Sequence, residues 1–245
     1  MILYKYVPER EIADVISRGN FRFYELVKYI DIEDISGRSD PHECSINIQD
    51  HEWEKIEELP VVYLDDLKLH FSASSPSKEH ISNYFVFCVS SKPTSNAIAD
   101  SNYEVSFNVN VFETLGKLLL DFPFQSDDRY KLFSHGPVKY YNIKSELSPI
   151  QEERWQEVYL KHSDFSYQNE YRAALFLPPD VFEMVDEAPM SLDLPVNDAF
   201  GNRLPYNLEF EVRAGVDNWG WRYVELDLSK VISNAGIQFN MTSVS

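Results

Sequence analysis

The run Tyr84-Phe85-Val86-Phe87-Cys88-Val89-Ser90-Ser91 is apolar or aromatic at every position but the last two. A continuous aromatic and β-branched run of this length predicts a central strand buried on both faces, ended by Lys92-Pro93-Thr94. Elsewhere the pattern alternates. Leu3 to Val7 switches between apolar and polar positions and stops at Pro8, which predicts a short strand, and Tyr103 to Asn110 does the same with one wetter face. Helical spacing takes over at Glu11 to Ser17, where Ile12, Val15 and Ile16 recur ahead of a stop at Gly19. It returns at Ile150 to His162, where Trp155, Val158, Tyr159 and His162 share one face.

Further short strands are expected at Phe21-Arg22-Phe23, Val61 to Leu64, Pro137 to Tyr141, Ala173 to Leu177 (closed by Pro178-Pro179), Glu209 to Arg213 and Tyr223 to Asp227. A terminal turn over Leu228 to Val231 follows the last of them. Val111 to Leu120 fits a strand extension or a helix, Glu52 to Leu59 a charged helix, and Ile98 to Asp100 the start of a short one. Tyr24 to His51 reads as mostly loop with one short helical piece, and Ser72 to Ser77 and the Pro- and Asp-rich Met184 to Pro205 as surface loops. About seven short strands with two or three helices predict an α+β fold with a split or sandwiched sheet rather than a doubly wound parallel one.

A chain of 245 residues with 44% hydrophobic and 14% aromatic content can bury one sizeable core, so one domain over residues 1–245 is expected. Cys44 and Cys88 are too few for a disulfide framework, neither shows metal-ligand spacing with His42, and the six histidines show no paired spacing. The expectation is a metal-free protein that tolerates a reducing compartment. Met1 to Arg10 has no signal-peptide pattern, and no segment approaches the roughly 18 apolar residues of a membrane span, so no bilayer crossing is expected. The net charge of −18, from 40 acidic and 22 basic residues, opposes nonspecific binding to nucleic acid. Basic protein partners fit it better, and solubility alone also explains it.

Chemistry concentrates in Phe165-Ser166-Tyr167-Gln168-Asn169-Glu170-Tyr171-Arg172, directly before Ala173-Ala174-Leu175-Phe176-Leu177. In an extended backbone Gln168 and Glu170 point to the same side, and Tyr171 with the apolar run behind it anchors the strand in a core. A glutamate fixed on the lip of a strand can do chemistry.

In order along the chain, Leu3-Tyr4-Lys5-Tyr6, Gly19 with Phe21-Arg22-Phe23, Asp40-Pro41, Cys88-Val89-Ser90 and Glu170-Tyr171-Arg172 resemble a large bacterial family of uncharacterised domains. That family opens with LYKY, carries LRF and NDP shortly afterwards and closes on EYR, and its members resemble ADP-ribosyltransferases. The resemblance spans most of residues 1–180. It implies a split β-sandwich of the ADP-ribosyltransferase type, with a few short helices, an elaborated loop region and NAD as co-substrate in the cleft. By the same resemblance Lys5 takes the first-strand position that contacts the dinucleotide, with Arg22 as competitor; Ser90 matches the middle-strand serine, Glu170 the catalytic glutamate and Gln168 the position two before it. Lys5 stands where Arg or His is expected in the best-known branches. Gln168 stands where arginine-modifying members carry glutamate, which implies another acceptor.

The reaction so implied breaks the bond between nicotinamide and ribose through an oxocarbenium-like transition state, and a carboxylate held where water is excluded stabilises the developing charge. Glu170 takes that role, Gln168 orients the acceptor with its amide, Ser90 holds ribose, Lys5 or Arg22 pairs with pyrophosphate, and Tyr167 or Tyr171 stacks on nicotinamide or packs the core. The expected acceptor is a macromolecule, a protein ahead of nucleic acid, with a threonine of ubiquitin as one candidate. The setting is a monomeric bacterial toxin or effector, cytoplasmic or secreted into a host cell. Three other readings compete. One is a noncatalytic acidic binding or immunity protein in which Glu170 only pairs with Arg172. Another is a nucleic-acid-modifying ADP-ribosyltransferase of a toxin or phage-defence system. The third is a glycoside hydrolase pairing Glu170 with a second acid.

Overall fold

The computed structural model describes residues 1–31, 63–64, 67–68, 83–93, 101–120, 132–141, 158–197, 203–231 and 237–244. The chain opens with β1 (Ile2–Val7), α1 (Arg10–Ser17), β2 (Asn20–Glu25) and α2 (Leu26–Asp31). A minimal hairpin, β3 (Tyr63–Leu64) and β4 (Leu67–Lys68), precedes β5 (Tyr84–Ser90), β6 (Tyr103–Asn108) and α3 (Asn110–Leu120). Next come β7 (Phe133–Pro137), β8 (Lys139–Tyr141), β9 (Leu160–His162), a 3-10 turn (Ser163–Gln168) and β10 (Glu170–Phe176). The last part holds α4 (Pro179–Glu187), β11 (Met190–Asn197), β12 (Arg203–Val216), β13 (Arg222–Asp227) and β14 (Phe239–Ser243). The fold is α+β, mostly antiparallel sheet with few helices.

The main sheet runs β11-β12-β13-β2-β5-β1-β6-β14, with β10 and then β7 branching from β5. The branch is a fork. One edge of β5 pairs with β10 along its whole length, from Glu170 opposite Ser90 to Phe176 opposite Tyr84. The other edge is divided: β2 takes Phe85 and Val86, whereas β1 reaches only Ser90, through Tyr4. From there β2 leads to β13 and β12, and β1 leads to β6 and β14, so two arms of sheet diverge on either side of Phe87, Cys88 and Val89.

Residues directly opposite one another on paired strands share a face. On one face Leu3, Phe21, Phe23, Phe85, Phe87, Val105, Phe107, Tyr171, Ala173 and Leu175 join Phe112 and Leu115 of α3 and Phe182 of α4 in the main core. The rings meet edge to face, as with Phe21 and Phe87 at 5.3 Å between centroids, or stacked, as with Phe85 and Phe182 at 5.4 Å. On the opposite face Tyr84, Val86, Ala174 and Phe176 pack with Leu26, Val158 and Tyr159 in a smaller cluster. The site lies beyond the end of that second cluster.

Several expectations hold. The central strand, the alternating strands and the α1 helix lie where the pattern puts them, and Asn110–Leu120 resolves as helix. Residues 229–231 are helical, in keeping with a terminal turn. In α1, however, Ala13 and Ile16 are buried while Ile12 and Val15 are exposed, because the helix docks on β2, β6 and β14 through its Ala13 side. Met184 to Pro205 is not a long loop: it holds the end of α4, all of β11 and the start of β12. Pro195 is tolerated because β11 is the edge strand and its register shifts between Pro195 and Asn197. The helix expected through His162 gives way to β9, which pairs in parallel with β8. Asp40-Pro41, Glu52 to Leu59, Ser72 to Ser77, Ile98 to Asp100 and Trp155 lie outside the described residues.

Candidate functional site

Glu170 is the first residue of β10, on the same face as Ser90 and Tyr4, and Arg172 follows on that face opposite Cys88. The side chain of Glu170 is 7% exposed and both its oxygens are engaged. Arg172 Nε donates to Oε1 at 2.5 Å, and Lys161 Nζ, from β9, donates to Oε2 at 3.0 Å. Arg172, 1% exposed, also donates through Nη1 to the Val158 carbonyl at 2.6 Å. Lys161, itself buried, lies 5.2 Å from the centroid of the Phe165 ring. β8 and β9 place Tyr140 directly opposite Lys161, and the Tyr140 hydroxyl accepts the Glu170 backbone N–H at 2.8 Å.

Burial alone would raise the Glu170 carboxyl pKa, but the charges of Arg172 and Lys161 and the hydrogen bonds from Arg172 and the Cys88 thiol outweigh it. The carboxyl is held well below the usual carboxylate range. The same neighbourhood acts in the opposite sense on Cys88, whose thiol is pushed up to about 12 by burial first and by the Glu170 charge next. It is therefore a neutral hydrogen-bond donor to the carboxylate rather than a thiolate nucleophile. Burial also raises Tyr140, although the N–H it accepts from Glu170 works against the shift.

The turn that delivers Glu170 differs from the extended lip expected. Gln168 ends the 3-10 turn and Asn169 adopts φ 45°, a left-handed conformation that asparagine tolerates better than most residues. Gln168 and Glu170 therefore do not lie two apart on one extended strand. The Gln168 carbonyl accepts from Ser90 Oγ at 3.0 Å, while its amide approaches the hydroxyl of Tyr167 at 3.4 Å on the exposed side of the turn. Tyr167 is 46% exposed. Tyr171 points the other way, into the main core, where its ring stacks on Phe112 and its hydroxyl meets His135 Nδ1 at 2.7 Å.

Ser90 is buried beside Glu170, and its hydroxyl has two carbonyls in reach, Lys92 at 2.7 Å and Gln168 at 3.0 Å. With one hydrogen to donate, it clips the end of β5 to the turn. Lys5 sends its ammonium into the fork, 2.8 Å from the Cys88 carbonyl and 4.8 Å from the centroid of Phe87. Arg22 flanks the fork on β2, but its guanidinium is turned to the neighbouring strand. There Nη2 meets Glu225 Oε2 at 2.7 Å and the group covers the Tyr223 ring at 4.3 Å.

Ser90 and Glu170 thus share one face of paired β5 and β10, Arg22 lies on β2 committed to Glu225, and Lys5 leaves β1 on the opposite, main-core face with Val105, reaching the fork only through its ammonium. Lys161 and Tyr140, absent from the sequence reading, complete the surroundings of the carboxylate. The only signal that could have found them is the polar Lys161 beside apolar Val158-Tyr159-Leu160, and the helical spacing of that stretch hid it. Trp219, 85% exposed, lies in the β12–β13 turn, while Trp221 packs against Tyr24 of β2. Among the described residues no helix is long and apolar enough to cross a membrane, and no cluster of His, Cys, Asp or Glu has a metal-binding arrangement. No protein-family model, curated protein or solved structure matches the chain.

Proposed function

We propose that the protein is an NAD-dependent mono-ADP-ribosyltransferase with Glu170 as the carboxylate that stabilises the ribosyl cation. The observation that carries this reading is an ionised, buried glutamate fixed on β10 opposite Ser90, the residue of β5 whose other edge meets β1 at one end of the fork. Its support is electrostatic: a charge held in place before the reaction costs no reorganisation when positive charge develops on ribose. The nicotinamide–ribose bond breaks with its electron pair leaving on nicotinamide. A nucleophilic oxygen or nitrogen of the acceptor then bonds to the ribose carbon and gives up its proton.

The sheet that divides at β5 is in keeping with a split β-sandwich of the ADP-ribosyltransferase type, with the dinucleotide between the arms. Lys5, with its ammonium inside the fork, is the better pyrophosphate partner; Arg22 is already committed to Glu225. Ser90 sets the position of the turn. The exposed turn carrying Tyr167 and Gln168 faces the acceptor, proposed as a side chain of a protein other than arginine, in a bacterial toxin or effector.

One observation favours a second reading. Both oxygens of Glu170 already meet buried cations, as expected of an ion cluster that only locks β9, β10 and the turn together in a noncatalytic acidic binding protein. NAD consumption and transfer of labelled ADP-ribose by wild type and Glu170→Gln separate the two. Turnover by wild type that is lost in a folded Glu170→Gln variant supports the transferase. Absence of turnover in wild type, with no stabilisation by NAD, leaves the binding protein.

A further inference from the structure

The β8–β9 pair brings Lys161 to the carboxylate from outside the main sheet. We infer that Lys161 is a positioning residue for the transfer proposed above, fixing Glu170 Oε2 while Arg172 fixes Oε1, so that the carboxylate keeps one orientation. The inference rests on the reading that Glu170 supports ADP-ribosyl transfer.

The geometry carries it in three steps. A glutamate side chain has three rotatable bonds, and a single partner on one oxygen leaves the carboxylate free to swivel about the other. Here Arg172 bonds Oε1 from within β10, two residues away, and cannot by itself set the orientation of Oε2. Lys161 supplies the second point at 3.0 Å from a different element, and its own burial beside Phe165 restricts its reach. Two held oxygens, together with the covalent attachment at Cγ, fix the carboxylate plane. The supporting shell, more than the reacting group, sets how accurately such a site is held.

Among the described residues, the groups facing the carboxylate are Arg172 on β10, Lys161 on β9, Tyr140 on β8 and Cys88 on β5. The tyrosine and thiol are neutral over the ordinary pH range. Removing Lys161 therefore removes one of two cations that favour the ionised form, and the carboxyl becomes easier to protonate.

The test compares the full chain with Lys161→Met, which keeps an unbranched stem of similar length, and Lys161→Arg, which keeps the charge. NAD consumption is followed as a function of pH, and the Glu170 carboxyl is followed by carbon NMR of glutamate-labelled protein, assigned through Glu170→Gln. The expected result is a roughly 100-fold loss in Lys161→Met, carried by kcat with KM nearly unchanged. Its acid limb moves to higher pH, the carboxyl resonance titrates at correspondingly higher pH, and Lys161→Arg recovers most of the rate. A folded Lys161→Met protein with the wild-type rate and acid limb overturns the inference, as does a Lys161→Arg protein no better than Lys161→Met. If wild type consumes no NAD but the resonance still moves in Lys161→Met, the transferase reading fails while the hold of Lys161 on the carboxylate stands.

Discussion

On one face of the β5–β10 pair, Phe85, Phe87, Tyr171, Ala173 and Leu175 sink into a layer of aromatic rings. On the other, the same two strands carry Cys88, Ser90, Glu170 and Arg172 into a cluster of charges and hydroxyls. The first face is held by apolar burial, which is non-directional and grows with area. The second depends on partners at fixed distances, each of which is costly to bury without the others. Loss on the apolar face should therefore accumulate, whereas loss on the charged face should depend on what remains.

The largest effect expected tests that difference directly. Arg172→Met leaves Glu170 with Lys161 as its one cation among the described residues and takes away the Arg172 donor to the Val158 carbonyl, and should cost about 3–5 kcal/mol of stability. Replacing the whole cluster, as Lys161→Met with Glu170→Leu and Arg172→Leu, should recover most of that loss, because apolar residues of similar volume often equal or exceed a buried ion cluster. On the other face Phe21→Ala should cost about 3–5 kcal/mol, and adding Phe87→Ala, its edge-to-face neighbour, should deepen the loss. Urea unfolding of the single and combined variants reads both. Recovery on the aromatic face, or further loss in the triple variant, would remove the distinction.

A smaller effect separates the faces by pH. Because the folded-state pKa of Glu170 lies below its unfolded value, the folded state binds fewer protons there. The stability it contributes is fully present at neutral pH. It begins to be lost as pH falls through the ordinary carboxylate range and goes on falling toward the depressed folded value. In Glu170→Gln the slope of stability against acid pH should be shallower than in wild type, whatever the offset between them at neutral pH. Substitutions confined to the aromatic layer should shift the whole curve and leave its slope unchanged. Equal slopes in wild type and Glu170→Gln would mean that Lys161 and Arg172 do not hold the carboxyl ionised.

The two faces also differ in how far they could be read from the chain. Tyr84 to Val89 and Ala173 to Leu177 announce buried strands because burial is written locally, in runs of apolar residues. The cluster around Glu170 is not local. Arg172 is visible beside Glu170, but Tyr140 and Lys161 arrive through a parallel pairing of three-residue strands, too short to leave a period. The relation of Gln168 to Glu170 went wrong for a related reason. Residue spacing gives a side only if the backbone between is extended, and Asn169 turns it. The β11–β12 hairpin was obscured by Pro195, whose cost an edge strand avoids.

The smallest expected effect concerns the two basic residues beside the fork. Arg22 is 45% exposed where it pairs with Glu225, so solvent and salt screen the pair and its removal in Arg22→Ala should cost no more than about 1 kcal/mol. Its place over Tyr223 adds a contact of similar modest size at an exposed site. The Tyr223 hydroxyl would lie only 2.8 Å from a Cβ built at Gly215, so the ring is seated by the missing side chain and not by Arg22 alone. The arm should therefore survive the loss of the guanidinium. Lys5 differs because its ammonium bonds a carbonyl of β5 inside the fork itself. If that is where pyrophosphate is read, thermal stabilisation by NAD should persist in Arg22→Ala and fall in Lys5→Ala. The reverse pattern would move the cofactor contact to the outer arm and make Arg22 exchange Glu225 for the dinucleotide.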